Sequence, residues 1–167
     1  MNLPKAISQL ETQSKAIAEL GSGLSNTESQ WMPDANSWSI LGTLRHLVYE
    51  EIFDFRCYLG KIFGVIKFSI PELAPDQFKA ENAKRSLEDL IGLFLAERER
   101  SILWLGSLNK SNWDATIDFE WGSLTAGDLL FSWLAHDLLH LRQLIEIRYA
   151  LTAKSSAPYR IEYAGEW

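Results

Sequence analysis

Residues 134–144 read LAHDLLHLRQL and place two histidines, His136 and His140, four positions apart among apolar residues. Residues four apart on an α-helix lie one above the other on the same face, so both imidazoles can reach a single ion. Their helical row otherwise consists mostly of core-type residues, which predicts that the histidines point inward. The other members of the row are Leu129, Trp133, Gln143 and Ile147.

The third and last histidine of the chain, His46, lies in a second segment, WSILGTLRHL at residues 38–47. An H-x-x-x-H pair alone is a weak signal, because helical histidines are more often ordinary core or surface residues. A third histidine on the inward face of another predicted helix favours a metal site, and Gly42 one turn earlier leaves room for a ligand. Three neutral imidazoles leave a divalent ion its full charge and at least one coordination position for water or substrate.

Four segments of the chain have helical periodicity, separated by clusters of Gly, Pro and Asn. Ser37 to Ser39, Ser86 and Thr125 are the expected N-terminal caps of the second, third and fourth helices. We predict an all-α fold: one domain over residues 1–167, an up-down four-helix bundle. A long crossover connection joins helices 2 and 3, and a short extended or hairpin segment precedes helix 4. The predicted helices span residues 3–20, 37–63, 86–108 and 125–151, and residues 25–36 are a predicted loop.

Composition and charge narrow the classes of function. The formal net charge is -6 and the pI is about 5.1, which argues against a nucleic-acid partner. No export signal and no run of ~18 apolar residues is visible, so we expect a cytoplasmic protein with no membrane partner. The single cysteine, Cys57, suits a reducing compartment, and it lies too far along the helix from His46 to bind the same ion.

Several charged residues are further candidates for the site. Glu50, four residues after His46, is a candidate general base, fourth ligand or hydrogen-bond acceptor for an imidazole, and its alternative role is that of a partly solvated carboxylate. Asp137 is expected to face solvent or a neighbouring helix. Arg98 and Arg142, together with Arg45, are candidates to bind the carboxylate of a thiol or substrate, with Arg98 best placed by periodicity.

The aromatic residues have two predicted roles. Trp133 and Tyr49 are expected to pack in the bundle and only incidentally to line a pocket. Four further tryptophans fall in predicted loops or in the tail, where they would close an end of the bundle or meet a second subunit, so the sequence is compatible with a homodimer. These are Trp31, Trp113, Trp121 and Trp167.

Residues 38–47 and 134–144 taken together resemble the DinB/YfiT-like metalloprotein superfamily, and the resemblance extends over nearly the whole chain. It implies a four-helix bundle with a three-histidine site for zinc, nickel or a similar divalent ion. At the matching positions of this sequence, the ligands are His46, His136 and His140. The superfamily includes bacillithiol S-transferases and mycothiol-dependent enzymes, in which the metal activates a low-molecular-weight thiol.

The expected function is therefore that of a metal-binding protein acting on a small-molecule substrate. The first hypothesis is a metal-dependent thiol transferase, with hydrolysis by activated water as a close relative. The second hypothesis is a non-catalytic metal-binding or stress-response protein. An exchangeable coordination position would favour the first hypothesis, and a closed fourth ligand such as Glu50 would favour the second.

Overall fold

The computed structural model describes residues 1–65, 74–108 and 111–165, in which helices predominate. Five π-helical residues, Glu51–Phe55, join the α-helices Ile40–Glu50 and Arg56–Ile62, so that residues 40–62 form one long helix. Two short antiparallel strands and a final 3-10 turn complete the described elements. The elements are α1 Leu3–Gly21, α2 Asn26–Gln30, α3 Ile40–Glu50, α4 Arg56–Ile62, α5 Pro75–Asn82, α6 Leu87–Ser107, β1 Thr116–Phe119, β2 Gly122–Thr125, α7 Ala126–Ser155 and the turn Glu162–Ala164.

The predicted caps begin the helices. Ser39 Oγ accepts a hydrogen bond from the Gly42 amide at 3.1 Å at the start of α3. Ser86 and Thr125 each form a reciprocal capping box, with the acidic residue three positions later, at the starts of α6 and α7. A further capping box at Ser25 begins α2 inside the segment predicted to be a loop. Residues 25–36 therefore contain one short helix that the lack of apolar periodicity concealed.

The long helices pack into an all-α helical bundle, as predicted. Two apolar clusters fill its core, and their membership shows the helix directions. In one cluster, the first turns of α1 and α7 pack against the last turns of helix 40–62 and α6. In the other cluster, the later turns of α1 and α7 pack against the first turns of helix 40–62 and α6. Consequently α1 and α7 run in one direction, whereas helix 40–62 and α6 both run in the other. None of the described helices is sufficiently long and apolar to cross a membrane.

The parallel course of helix 40–62 and α6 requires the connection between them to return along the bundle. The end of this connection is α5, whose Phe78 is 7% exposed and packs with its ring centroid 5.1 Å from that of Phe53. Two hydrogen bonds secure α5 to α3: Arg45 Nη2 donates to the Ala83 carbonyl at 2.7 Å, and Asn82 Nδ2 donates to the Arg45 carbonyl at 3.3 Å. Residues 66–73 of the predicted connection lie outside the described residues.

The predicted hairpin before the last helix is present as β1 and β2, with Thr116 opposite Thr125 and Phe119 opposite Gly122. Aromatic contacts tie its surroundings to the bundle. Trp113 meets the edge of Phe63 at 5.1 Å between ring centroids, and Trp121 stacks on Phe119 but stays 72% exposed. In the loop after α2, Trp31 lies under the ammonium group of Lys154 at 4.7 Å, and Trp167 lies outside the described residues.

Candidate metal centre

The three histidines of the chain converge between α3 and α7. His46 comes from α3, and His136 and His140 from successive turns of α7. His136 Nε2 lies 3.2 Å from His46 Nε2 and 3.1 Å from His140 Nε2, and the ligand atoms of all three lie within 4.8 Å of one another. The helix phases predicted this meeting, because each histidine lies on the row of its helix that faces the bundle interior.

The spacing of the nitrogens fits a bound ion. With a metal–nitrogen distance of ~2.0–2.1 Å and tetrahedral angles, two ligand nitrogens would be ~3.3–3.4 Å apart. The two short separations in the structure are close to this value. Among the described residues, no other His, Cys, Asp or Glu joins the cluster. A tetrahedral ion held here would therefore keep one coordination position that no His, Cys, Asp or Glu of the described residues fills.

Gln143 orients one of the imidazoles. Its Oε1 lies 2.8 Å from His140 Nδ1, so Nδ1 is the protonated nitrogen and the lone pair of Nε2 is directed at the other histidines. This carbonyl therefore selects the tautomer that a metal ligand requires. Gln143 was predicted to lie in the inward row, but no role was predicted for it. Its position three residues after His140 could have indicated the contact, because residues three apart are neighbours on a helix.

Burial keeps the imidazoles of His46 and His136 uncharged. It lowers the pKa of His46 to about 4, with repulsion from His140 as a smaller cause. Burial likewise lowers the pKa of His136 to about 3, assisted by repulsion from His140, His46 and Arg98. Neutral imidazole is the form that binds metal, so at neutral pH protons hardly compete for these two nitrogens.

Aromatic rings form the apolar wall of the site. Trp38, just before the cap of α3, meets His46 edge-on at 5.0 Å and lies 6.2 Å from His140 between ring centroids, while 43% of it stays exposed. On the inner side Phe55 contacts His136 at 5.3 Å and stacks on Trp133, which is 1% exposed. Nothing in the sequence indicated this role for Trp38, since its position over the histidines depends on how α3 and α7 pack.

Glu50 lies beside the cluster and outside it. Its Oε1 is 3.7 Å from His46 Nδ1, too far for a hydrogen bond, and its side chain is 18% exposed. Burial raises the pKa of Glu50 to about 7, with the neighbouring Asp54 carboxyl as the second cause. Such a pKa suits a group that exchanges protons near neutral pH. Glu50 therefore lies next to Nδ1 of His46, whereas Nε2 of the same ring lies next to His136.

The structure places Arg98 in the core, where protein groups occupy all five of its N–H donors. Its Nε donates to Glu51, Nη1 to Asp137 at 2.6 Å and to the Leu10 carbonyl, and Nη2 to Asp137 and Glu51. Burial disfavours its charge, but attraction to Glu51 and Asp137 outweighs this and raises the pKa of Arg98. Arg98 therefore has no free donor with which to bind the carboxylate of a thiol or substrate, which was the role expected of it.

The remaining charged candidates lie in different surroundings. Asp137 is fully buried against the neighbouring helices, one of the two placements that the sequence predicted. Arg142 is exposed and pairs with Glu146 at 2.8 Å in a shallow groove beside His140. Arg45, by contrast, lines a cavity of about 370 Å³ next to His46.

The family comparison agrees with the fold and with the cluster. The family model described as the DinB superfamily matches residues 9–144, which include all three histidines. Because the match covers most of the chain, this protein belongs to the DinB superfamily. A comparison with curated proteins finds no significant match.

Proposed function

We propose that His46, His136 and His140 bind one divalent ion of the zinc or nickel type, and that the protein is a metal-dependent transferase that activates a small thiol, or water, at this centre. The convergence of the three histidines carries the proposal, with His136 Nε2 lying 3.2 Å from His46 Nε2 and 3.1 Å from His140 Nε2. When bound, such an ion lowers the pKa of a coordinated water or thiol. The protein holds the ligand nitrogens in place, and burial keeps those of His46 and His136 unprotonated.

Glu50 is the candidate proton acceptor of the proposed reaction. It lies beside His46 but not in the ligand cluster, and burial raises its pKa to about 7. At neutral pH it is therefore present in both protonation states and can take a proton from an attacking thiol or water. Trp38 lies against His46 and His140 and would limit the entry of solvent to the histidines.

The alternative function is non-catalytic metal binding. It would require a fourth protein ligand that closes the site, and within the described ranges no such ligand joins the three histidines. This observation favours the catalytic proposal, because an open coordination position is what distinguishes catalytic from structural zinc sites.

The experiment that tests the proposal is elemental analysis of protein purified without a nickel column, with His136→Ala as the matched variant. We expect about one divalent ion per wild-type chain and a large loss of that ion in the variant. A panel of small thiols assayed with a generic electrophile then tests the transferase function. Absence of stoichiometric metal in the wild type would refute the site, whereas bound metal without thiol-dependent or water-dependent turnover would favour the non-catalytic function.

A further inference from the structure

Two grooves flank the three histidines, and their charges differ. The groove beside His140 has a volume of about 310 Å³ and contains Arg142, which Glu146 neutralises. The cavity beside His46 has a volume of about 370 Å³ and lies between α3 and α5. It is lined by Arg45, His46, Tyr49, Glu50, Lys79, Asn82 and Ala83.

Neither cation of the second cavity is held in a close ion pair among the described residues, and Lys79 acts on Glu50 only at longer range, where its charge lowers the pKa of that carboxyl. Among the described residues, no carboxylate lies within ion-pair distance of Arg45 or of Lys79. Within the described ranges, Arg45 donates only to the Ala83 carbonyl, through Nη2, and its Nε has no hydrogen-bond partner. The ammonium group of Lys79 lies 4.6 Å from the centre of the Tyr49 ring. With Glu50 counted as a carboxylate, the cavity has a formal charge of +1, in a protein whose net charge is -6.

Recognition of an anion explains this arrangement. Arginine is the side chain best suited to bind a carboxylate, since it offers parallel N–H donors, and a neighbouring lysine adds a point charge. Unpaired cations around a concave site attract anions and orient them as they enter. The cavity wall includes His46 but neither His136 nor His140, so a molecule bound here meets the histidine cluster at His46.

We propose that this cavity binds the carboxylate end of a small anionic substrate whose other end reaches an ion held by the three histidines. The proposal rests on the proposed function and adds the substrate class to it. Arg45 and Lys79 are positioning residues, which hold the carboxylate so that the reactive end of the molecule meets the metal.

The test compares two probes that differ only in charge, N-acetylcysteine and N-acetylcysteine amide. Cobalt(II) is loaded into the wild-type protein, and binding of each probe is followed by the cobalt absorption spectrum and by calorimetry. We expect the carboxylate probe to bind roughly tenfold more tightly than the amide, in keeping with a charge-assisted hydrogen bond. Turnover is not needed for this measurement.

Four variants locate the source of the preference. Arg45→Met and Lys79→Met should each reduce it, and the double variant should bind both probes within about twofold of each other. Arg45→Lys should retain part of the preference because it keeps the charge. Arg142→Met, an arginine on the other side of the cluster, should behave like the wild type. Cobalt stoichiometry and circular dichroism report whether each variant keeps its fold and its metal.

The outcomes separate this proposal from the function on which it depends. A double variant that still prefers the carboxylate, or a preference lost in Arg142→Met instead, overturns the assignment of the cavity while the metal site stands. Failure of both probes to bind the cobalt-loaded wild type also overturns it. If the wild type takes up no cobalt, the metal site itself fails and the substrate assignment falls with it.

Discussion

Gln143 lies outside the histidine cluster, and its hydrogen bond to His140 determines which ring nitrogen of that ligand carries the proton. Gln143→Leu keeps a similar volume but removes the acceptor for the Nδ1 proton, so His140 loses the tautomer preference that directs its Nε2 lone pair inward. We expect zinc affinity to fall by ~10–100-fold, measured by competition with a chromophoric chelator. Arg142→Gln, one residue earlier on the exposed face, is the control and should change the affinity little.

His136 makes the stability of the metal-free protein depend on pH. The histidine of the unfolded chain has the ordinary pKa of about 6.5, whereas burial lowers the folded-state pKa to about 3. Between these values the unfolded chain binds a proton that the folded chain does not, so this stability is complete above pH 6.5 and is lost as the pH falls. The raised pKa of Glu50 has the opposite effect in part of the same range, so a single titration of the wild type cannot separate the two.

The difference between the wild type and His136→Gln isolates the histidine. In urea titrations with a chelator present, the wild type should lose ~2 kcal/mol relative to the variant between pH 7 and pH 4.5, after allowance for partial exposure of the imidazole. A difference that stays constant over this interval would show that His136 is not buried in its neutral form.

At the scale of single elements, the capping boxes explain why the helices begin where they do. Ser86 Oγ accepts from the Asp89 amide at 3.1 Å, and the Asp89 carboxylate accepts from the Ser86 amide. Ser86→Ala should destabilise the protein by ~1 kcal/mol, measured by urea unfolding. The exposed hydroxyl of Ser155, near the end of α7, donates to a carbonyl of its own helix, and Ser155→Ala should change the stability by less than ~0.5 kcal/mol.

The π-helical segment shows what helical periodicity does not reveal. The residues 37–63 were predicted to form one regular helix, and the structure contains Glu51–Phe55 as a π turn within it. A π turn adds a residue to the local repeat and so rotates the following residues relative to the preceding ones. His46 precedes the turn, so its predicted face was unaffected. Glu51 lies within the turn and reaches Arg98 in the core.

For the whole molecule, the buried ion pairs form a polar layer between the two apolar clusters. Arg98 joins α1, helix 40–62 and α7 through the Leu10 carbonyl, Glu51 and Asp137. Arg98→Met would leave two buried carboxylates without a partner, and we expect a loss of ~3–5 kcal/mol in the free energy of unfolding. Arg142→Met removes only an exposed pair and should cost less than ~1 kcal/mol.

Urea denaturation of the two arginine variants at pH 7 measures this difference. Glu51→Gln combined with Asp137→Asn and Arg98→Met should recover part of the stability, because neutral amides are less costly to bury than unpaired charges. Equal stabilities of Arg98→Met and Arg142→Met would contradict a structural role for the buried cluster.

The helices, their caps and the inward faces of the three histidines could be read from the sequence, because each depends on residues within one or two turns. The resemblance of residues 38–47 and 134–144 to one superfamily agreed with that pattern. Periodicity also placed Arg98 on a core row, but a row does not identify the partner that a long side chain will meet. Only the tertiary structure identified Glu51 and Asp137 as the partners of Arg98. It also decided the parallel course of helix 40–62 and α6 and the position of Trp38 over the histidines. These features depend on contacts between residues far apart in the chain, and the packing of whole helices determines those contacts.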